Sequence, residues 1–150
     1  MIARVLVAID SADDLPLVDH ACALADEHRA ALEIVGGIPR ASFTVALVAC
    51  PRALDQELEC YSRSVLAEAV DRVPRDIPVV WRQVHGCARR HVIHSAGADE
   101  RCVVLVGRLP WWARGALRRR LSRLVLLPDA APTGGPEPAV RVRERAGTLA

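Results

Sequence analysis

The sequence predicts one α/β domain: an open, mostly parallel five-stranded sheet with helices on both faces. Its 150 residues are the length of one ordinary domain. Hydrophobic residues make up 51% of the chain and aromatic residues only 3%, so Val, Leu, Ile and Ala must fill the core, as in sheets covered by helices. Apolar runs alternate with segments of helical periodicity, an order that gives parallel strands joined by right-handed crossovers.

The first predicted strand covers residues 5–9, a continuous apolar run that ends at Asp10. Such a run is typical of a central strand buried on both faces. Ser11 and Asp13 are suitable caps for the following helix. Its apolar residues recur at helical spacing and are Leu15, Val18, Cys22 and Ala25.

The middle of the chain predicts two further strands and a long helix. Residues 31–35 form the second strand, which the pair Gly36-Gly37 closes. Residues 40–52 are interpreted as a long connection, in which 43–48 have the composition of an extra edge strand. Residues 55–73 place their apolar side chains on one helical face, and 79–84 form the third strand.

The last third of the chain leaves two interpretations open. A short helix has Ala88, Val92, Ile93 and Ala96 on its inner face, and residues 102–106 form a buried strand that ends at Gly107. In one interpretation, residues 116–125 form a final helix and 139–143 form the edge strand. In the other, residues 124–127 are the last strand and a loose tail follows. Residues 1–127 are the predicted core, and 128–150 are a Pro/Gly-rich loop with the edge strand of the same domain.

Charge and cysteine content exclude several classes of protein. The net charge is only +2, so nucleic acid is not an expected partner, although all 20 cationic residues are arginine. The five cysteines are scattered and form no C-x-x-C pair, which favours reduced thiols. No signal peptide is visible, and no apolar run approaches the roughly 20 residues that span a bilayer. These observations predict a cytoplasmic protein without a transmembrane segment.

Four segments at matching spacing resemble the universal stress protein family. They are residues 5–11, 21–25, 84–86 and 97–107, and the resemblance covers about residues 1–127. It implies the Rossmann-like sheet of that family and a bacterial role in stress survival or regulation. It also implies a homodimer, often joined through the last strands.

The resemblance also implies a degenerate nucleotide site. The ATP-binding branch of the family carries an aspartate after the first strand, which Asp10 matches. After the fourth strand it carries G-x-x-G, nine residues, and then G-S or G-T. Gly107 matches the first glycine, but the second falls on Pro110, which has no N–H to donate to phosphate. The small pair falls on Arg120-Leu121, or on Leu121-Ser122 after a slip of one residue.

No cofactor is therefore expected. If ATP or AMP does bind, the residues predicted to hold it are Asp10, Gly107, Arg108 and Ser122. In parallel sheets such ligands lie beyond the carboxyl ends of the strands, which is where Asp10 and Gly107 should meet.

A cluster of arginines beside Trp111 and Trp112 allows three interpretations. The arginines are Arg108, Arg114, Arg118, Arg119, Arg120 and Arg123. In the first, they solvate a helix while the two tryptophans plug the pocket mouth or contact a dimer partner. In the second, Arg108 or Arg114 grips a phosphate. In the third, the segment is an interaction surface for a membrane, a nucleic acid or an acidic partner.

No catalytic or metal-binding residue is predicted. The spacing of Cys87, His91 and His94 places them on one side of a helix, but it matches no compact zinc site. No catalytic triad or pair of carboxylates on a rigid element is evident. The sequence thus predicts a non-catalytic regulatory or protective protein. The alternatives are an adenine-nucleotide-binding stress protein with an arginine-based phosphate site, and an interaction module that uses the Trp/Arg-rich helix.

Overall fold

The computed structural model describes residues 1–40, 51–97, 99–107 and 124–126. Its strands form a single parallel sheet in the order β3-β2-β1-β4-β5. The five strands are β1 (Arg4–Ile9), β2 (Ala31–Ile38), β3 (Val79–His85), β4 (Cys102–Val106) and β5 (Leu124–Leu126). The predicted open, parallel five-stranded sheet is confirmed.

Helices cover both faces of this sheet, as predicted. They are α1 (Pro16–His28), α2 (Pro51–Asp71) and α3 (Ala88–Ala96), and a 3-10 turn at Ala12–Asp14 precedes α1. The buried residues of α1 and α2 pack with one set of alternating strand residues, which includes Val5, Val7 and Leu105. Helix α3 packs on the opposite face against Leu6 and Val104. The central strands are therefore buried on both sides, which explains their continuous apolar sequences.

Strand β2 is longer than the sequence predicts. It continues through Gly36 and Gly37 to Ile38, all of which pair with β3. Glycine usually weakens a strand, but here the missing side chain lets other groups approach the backbone. A Cβ atom on Gly37 would lie 2.6 Å from the carbonyl oxygen of Gly86 and 2.8 Å from the amide nitrogen of Ala88.

The last described strand tests part of the two interpretations of the chain end. Residues 124–126 pair in parallel with β4, so a strand in this segment is confirmed and a helix extending through Leu124 and Val125 is wrong. A short, continuous apolar run is typical of strands in parallel sheets. The proposed strands at 43–48 and 139–143 lie outside the described residues.

None of the helices in the described ranges combines the length and the apolar character needed to cross a membrane.

The sheet order reverses direction between β1 and β4: the chain winds from β1 to β2 and β3 on one side, and from β4 to β5 on the other. This switch point is where open α/β sheets form a ligand crevice.

Candidate functional site

The candidate site is the crevice between the carboxyl ends of β1 and β4. Asp10 directly follows β1 and Gly107 directly follows β4, and the two strands are paired up to Val7 and Leu105. The structure thus places these two predicted site residues at neighbouring strand ends. The other two, Arg108 and Ser122, lie outside the described residues, as do Trp111 and Trp112.

The side chain of Asp14 connects the two strand ends. Its Oδ2 accepts the backbone N–H of Asp10 at 2.8 Å and that of Ser11 at 3.2 Å. Its Oδ1 lies against Gly107, where a Cβ atom would clash with it and would lie 3.2 Å from the carboxyl carbon. Glycine at position 107 therefore admits a carboxylate at the start of the loop in which the family resemblance places the phosphates.

The surroundings of Asp14 shift its pKa upward. Burial raises the pKa of this carboxyl, and the two N–H groups of Asp10 and Ser11 oppose that shift. The negative charge of Asp10 raises the pKa further, while the positive charge of Arg89 lowers it. The Asp14 carboxylate is therefore partly desolvated and is held by two backbone donors.

Asp10 serves as the cap of helix α3. Its Oδ1 accepts the backbone N–H of Ala88 at 2.7 Å, and its Oδ2 accepts the N–H of Arg89 at 3.3 Å. The first N–H groups of a helix have no partner within the helix, and Cys87 at the N-cap position gives α3 no side-chain cap of its own. Asp10, the residue after β1, thus provides the capping carboxylate that the sequence around Cys87 lacks.

The guanidinium of Arg89 completes the shell around Asp10. Its Nε lies 3.1 Å from Asp10 Oδ2, and the Cys87 thiol lies 3.5 Å from the same oxygen. Burial alone would lower the pKa of Arg89, but the Cys87 side chain, Asp10 and Asp14 together hold that pKa above its usual value. The side chain of Asp10 is only 19% exposed. Both of its oxygens are engaged within the protein.

Gly37 makes this arrangement possible. A Cβ atom there would clash with Asp10 Oδ1 and with the backbone at Gly86 and Ala88. The carbonyl of Gly37 accepts the hydroxyl of Ser62 at 2.9 Å, and Ser62 is a buried residue of α2. The crevice floor is therefore tied to helices on both faces of the sheet.

Sequence reasoning missed three contributors to this site, which are Asp14, Arg89 and Gly37. A signal for Asp14 was present, because Ser11 and Asp14 have the spacing of a capping box. Asp13, which was predicted to cap the first helix, is exposed, and α1 itself begins at Pro16 after Leu15. The role of Arg89 depends on contacts between distant segments, which local spacing does not show.

A metal site receives no support from the described part of the chain. No group of three or more His, Cys, Asp or Glu side chains there is arranged to hold a metal ion. The side chains of Cys87 and His94 are exposed and that of His91 is half-buried. The absence of a metal-binding residue stays a prediction.

The sheet order and the crevice at its switch point define a doubly wound α/β protein. No protein-family model and no curated protein matches the chain. Among solved structures, the chain is similar to a universal stress protein crystallised in complex with cAMP, with 18% sequence identity and a TM-score of 0.54. The match covers 86% of this chain and 98% of that one. The chain therefore has the universal stress protein fold, as its sequence predicts.

Proposed function

We propose that this chain is a universal-stress-protein-like regulatory or protective protein that catalyses no reaction and does not bind ATP tightly. The observation that carries the proposal is the carboxylate of Asp14 against Gly107. In an ATP site, this end of β4 would present backbone N–H groups to the phosphates. Here the Asp14 carboxylate lies at that end of β4, where it would repel a phosphate.

The magnitudes favour exclusion of a triphosphate. Two unit charges 4 Å apart repel by about 4 kcal/mol at the effective dielectric constant of a protein surface. A hydrogen bond to a charged group contributes about 1.5–3 kcal/mol, so one backbone donor does not offset that repulsion. The sequence also removes a donor, because Pro110 has no N–H.

The proposed lack of catalysis rests on how the crevice carboxylates are used. A general base needs an oxygen directed at the substrate. Asp10 is committed to the start of α3 and to Arg89, and Asp14 is committed to the N–H groups of Asp10 and Ser11. Asp10 cannot accept a substrate proton without breaking these contacts, and the other oxygen of Asp14, Oδ1, lies against Gly107.

Calorimetric titration with ATP tests the proposal. The wild-type protein should give no saturable heat at about 1 mM ATP, which corresponds to a binding free energy weaker than about −4 kcal/mol. Asp14→Asn removes the charge with little change of shape, and it should strengthen ATP binding at least tenfold. Asp13→Asn is the matched control, because Asp13 is exposed on the same turn.

Micromolar binding of ATP to the wild-type protein would overturn the closed-site proposal. If neither protein bound ATP and Asp14→Asn gave no gain, the assignment of Asp14 as the excluding group would be wrong. Phosphate release from ATP above the buffer rate would contradict the lack of catalysis.

The second candidate function is adenine-nucleotide binding with an arginine-based phosphate site. The universal stress protein that shares the fold was solved with cAMP, and a cyclic monophosphate carries a single negative charge. In this alternative, Asp10, Gly107, Arg108 and Ser122 hold the ligand. Saturable cAMP binding that Arg108→Gln weakens at least tenfold would favour it, and the absence of cAMP binding would remove it.

We also propose a cytoplasmic homodimer joined through β5. Among the described strands, β5 lies at the edge of the sheet beside β4, and an edge strand is a template for pairing with another chain. Light scattering should give the mass of a dimer, whereas a monomer at micromolar concentration would contradict the proposal.

A further inference from the structure

A groove of about 480 Å³ lies on the sheet, away from the crevice. It is lined by residues of β1, β2 and β3, which are Arg4, Ala31, Leu32, Glu33, Val80 and Arg82. Arg4 and Ala31 are the first residues of their strands, so the groove lies toward the amino-terminal end of the sheet, whereas Asp10 and Gly107 follow the carboxyl ends. We call this feature the arginine groove.

Two guanidinium groups of the arginine groove converge on one carboxylate. Arg4 Nη2 lies 3.0 Å from Glu33 Oε2, and Arg82 Nη2 lies 2.7 Å from Glu33 Oε1. The Glu33 side chain is only 17% exposed, whereas both arginine side chains are about 40% exposed. Glu33 and the negative charge of Asp99 both raise the pKa of Arg4, but Asp99 does not line the groove. The groove lining itself therefore carries one excess positive charge.

Arg82 has hydrogen-bonding capacity that its ion pair does not use. Its Nε is buried and has no hydrogen-bond partner among the described residues. An unsatisfied buried donor costs about 1–3 kcal/mol, so a turn of the side chain toward an external acceptor would recover free energy. A carboxylate is a suitable acceptor because its two oxygens match the planar guanidinium group.

The rest of the groove is apolar. Ala31 and Val80 contribute hydrocarbon on the same face of the sheet as Glu33, and both are exposed, Val80 to 64%, which is unusual for a valine within a sheet. Side chains two residues apart in a strand share a face, so Val80 and Arg82 lie side by side on β3. A ligand held by Arg82 would therefore place its nearest carbon atoms on Val80.

We propose that the arginine groove binds a small carboxylate with an apolar tail. The carboxylate pairs with Arg82 and Arg4, and the tail covers Val80 and Ala31. Glu33 fixes the two guanidinium groups and offsets one of their charges, which limits affinity. The arginine groove shares no residue with the crevice between β1 and β4. Carboxylate binding in the groove and exclusion of ATP from the crevice can therefore be tested independently.

Nuclear magnetic resonance with benzoate as the probe tests the proposal on the full-length protein. Benzoate should shift the Val80 methyl signals and the Arg82 Nε–H signal saturably, with a dissociation constant of about 1 mM, as expected for a ligand of this size. Neutral benzamide has the same ring without the charge and should bind at least tenfold more weakly. Inorganic phosphate, which has no apolar tail, should also bind more weakly than benzoate.

Two variants separate a binding role from a structural role. Arg82→Gln should weaken benzoate binding at least tenfold, whereas Glu33→Gln should strengthen it because both guanidinium groups lose their internal partner. A merely structural ion pair would not give opposite changes. Arg63→Gln, which removes an exposed arginine paired with Glu59 on α2, should leave binding unchanged. No saturable shift with benzoate, or equal shifts with benzamide, would overturn the proposal.

Discussion

Removing the Asp10 carboxylate should destabilise the protein by uncapping helix α3. In Asp10→Ala, the N–H groups of Ala88 and Arg89 lose their acceptor, and the Arg89 guanidinium loses its ion pair at 3.1 Å. Both partners are partly buried, so water replaces these contacts only incompletely. We therefore expect a larger effect than the loss of a solvent-exposed cap would give.

The magnitude follows from the separate contributions. Loss of an N-cap costs about 0.5–2 kcal/mol, and a hydrogen bond to a charged group contributes about 1.5–3 kcal/mol. One opposing effect reduces the sum, since removing Asp10 also removes a negative charge that acts on Asp14. We expect the free energy of unfolding to fall by about 3 kcal/mol, or a Tm lowered by about 10 °C in a domain of this length.

Urea unfolding followed by circular dichroism measures this change. Asp10→Asn keeps one acceptor oxygen but no charge, so it should lose about half as much stability as Asp10→Ala. Asp13→Ala is the control, because that exposed side chain lies on the adjacent turn. If Asp10→Ala changed the free energy of unfolding by no more than Asp13→Ala does, the capping role of Asp10 would be refuted.

Two further predictions concern packing and pH. Gly37→Ala should destabilise the protein by about 2–3 kcal/mol in urea unfolding, because its Cβ atom would meet the backbone of Gly86 and Ala88 below 3 Å. The second concerns the buried Cys102, whose pKa burial raises to about 11 from 9.0 while Arg4 opposes the shift. Its stabilising contribution should be complete below pH 9 and be lost as the pH rises through about 11, by about 3 kcal/mol in all.

Each of these two predictions has a matched control. Gly36→Ala places its Cβ atom 3.1 Å from a terminal methyl group of Leu66, which can move, so it should cost less than Gly37→Ala. Equal losses would show that the clash at Gly37 is not the cause. For the pH effect, Cys102→Ala should flatten the alkaline decline, whereas Cys60→Ala, at an exposed position, should not. The chain has no lysine to titrate in this range.

The sequence predicts the sheet well where burial is complete. The runs at β1 and β4 are apolar on both faces, and that pattern alone places Asp10 and Gly107 at strand ends. It fails at Gly36 and Gly37, because a glycine that ends a strand and one that admits a neighbouring group look alike in one sequence. The segment 124–127 stayed ambiguous because a short apolar run has no readable period.

The candidate site was less predictable because its contacts join distant segments. Asp10 and Ala88 are 78 residues apart, and no sequence pattern near either residue predicts the hydrogen bond between them. Asp14 reads as an ordinary residue of a helix start, and only the folded chain brings its second oxygen to Gly107. Local patterns thus locate the crevice and Asp10 without revealing that the Asp14 carboxylate lies against Gly107.

The use of Asp10 as a cap links occupancy of the crevice to the order of a helix. A ligand that donates a hydrogen bond to Asp10 must compete with the amides of Ala88 and Arg89, so its affinity is reduced by the free energy of the contacts it displaces. A ligand bound at the carboxyl end of β1 would then break the hydrogen bonds at the start of α3, and the first turn of that helix would fray. Faster hydrogen exchange at those two amides would report such a ligand, even one that leaves the rest of the fold unchanged.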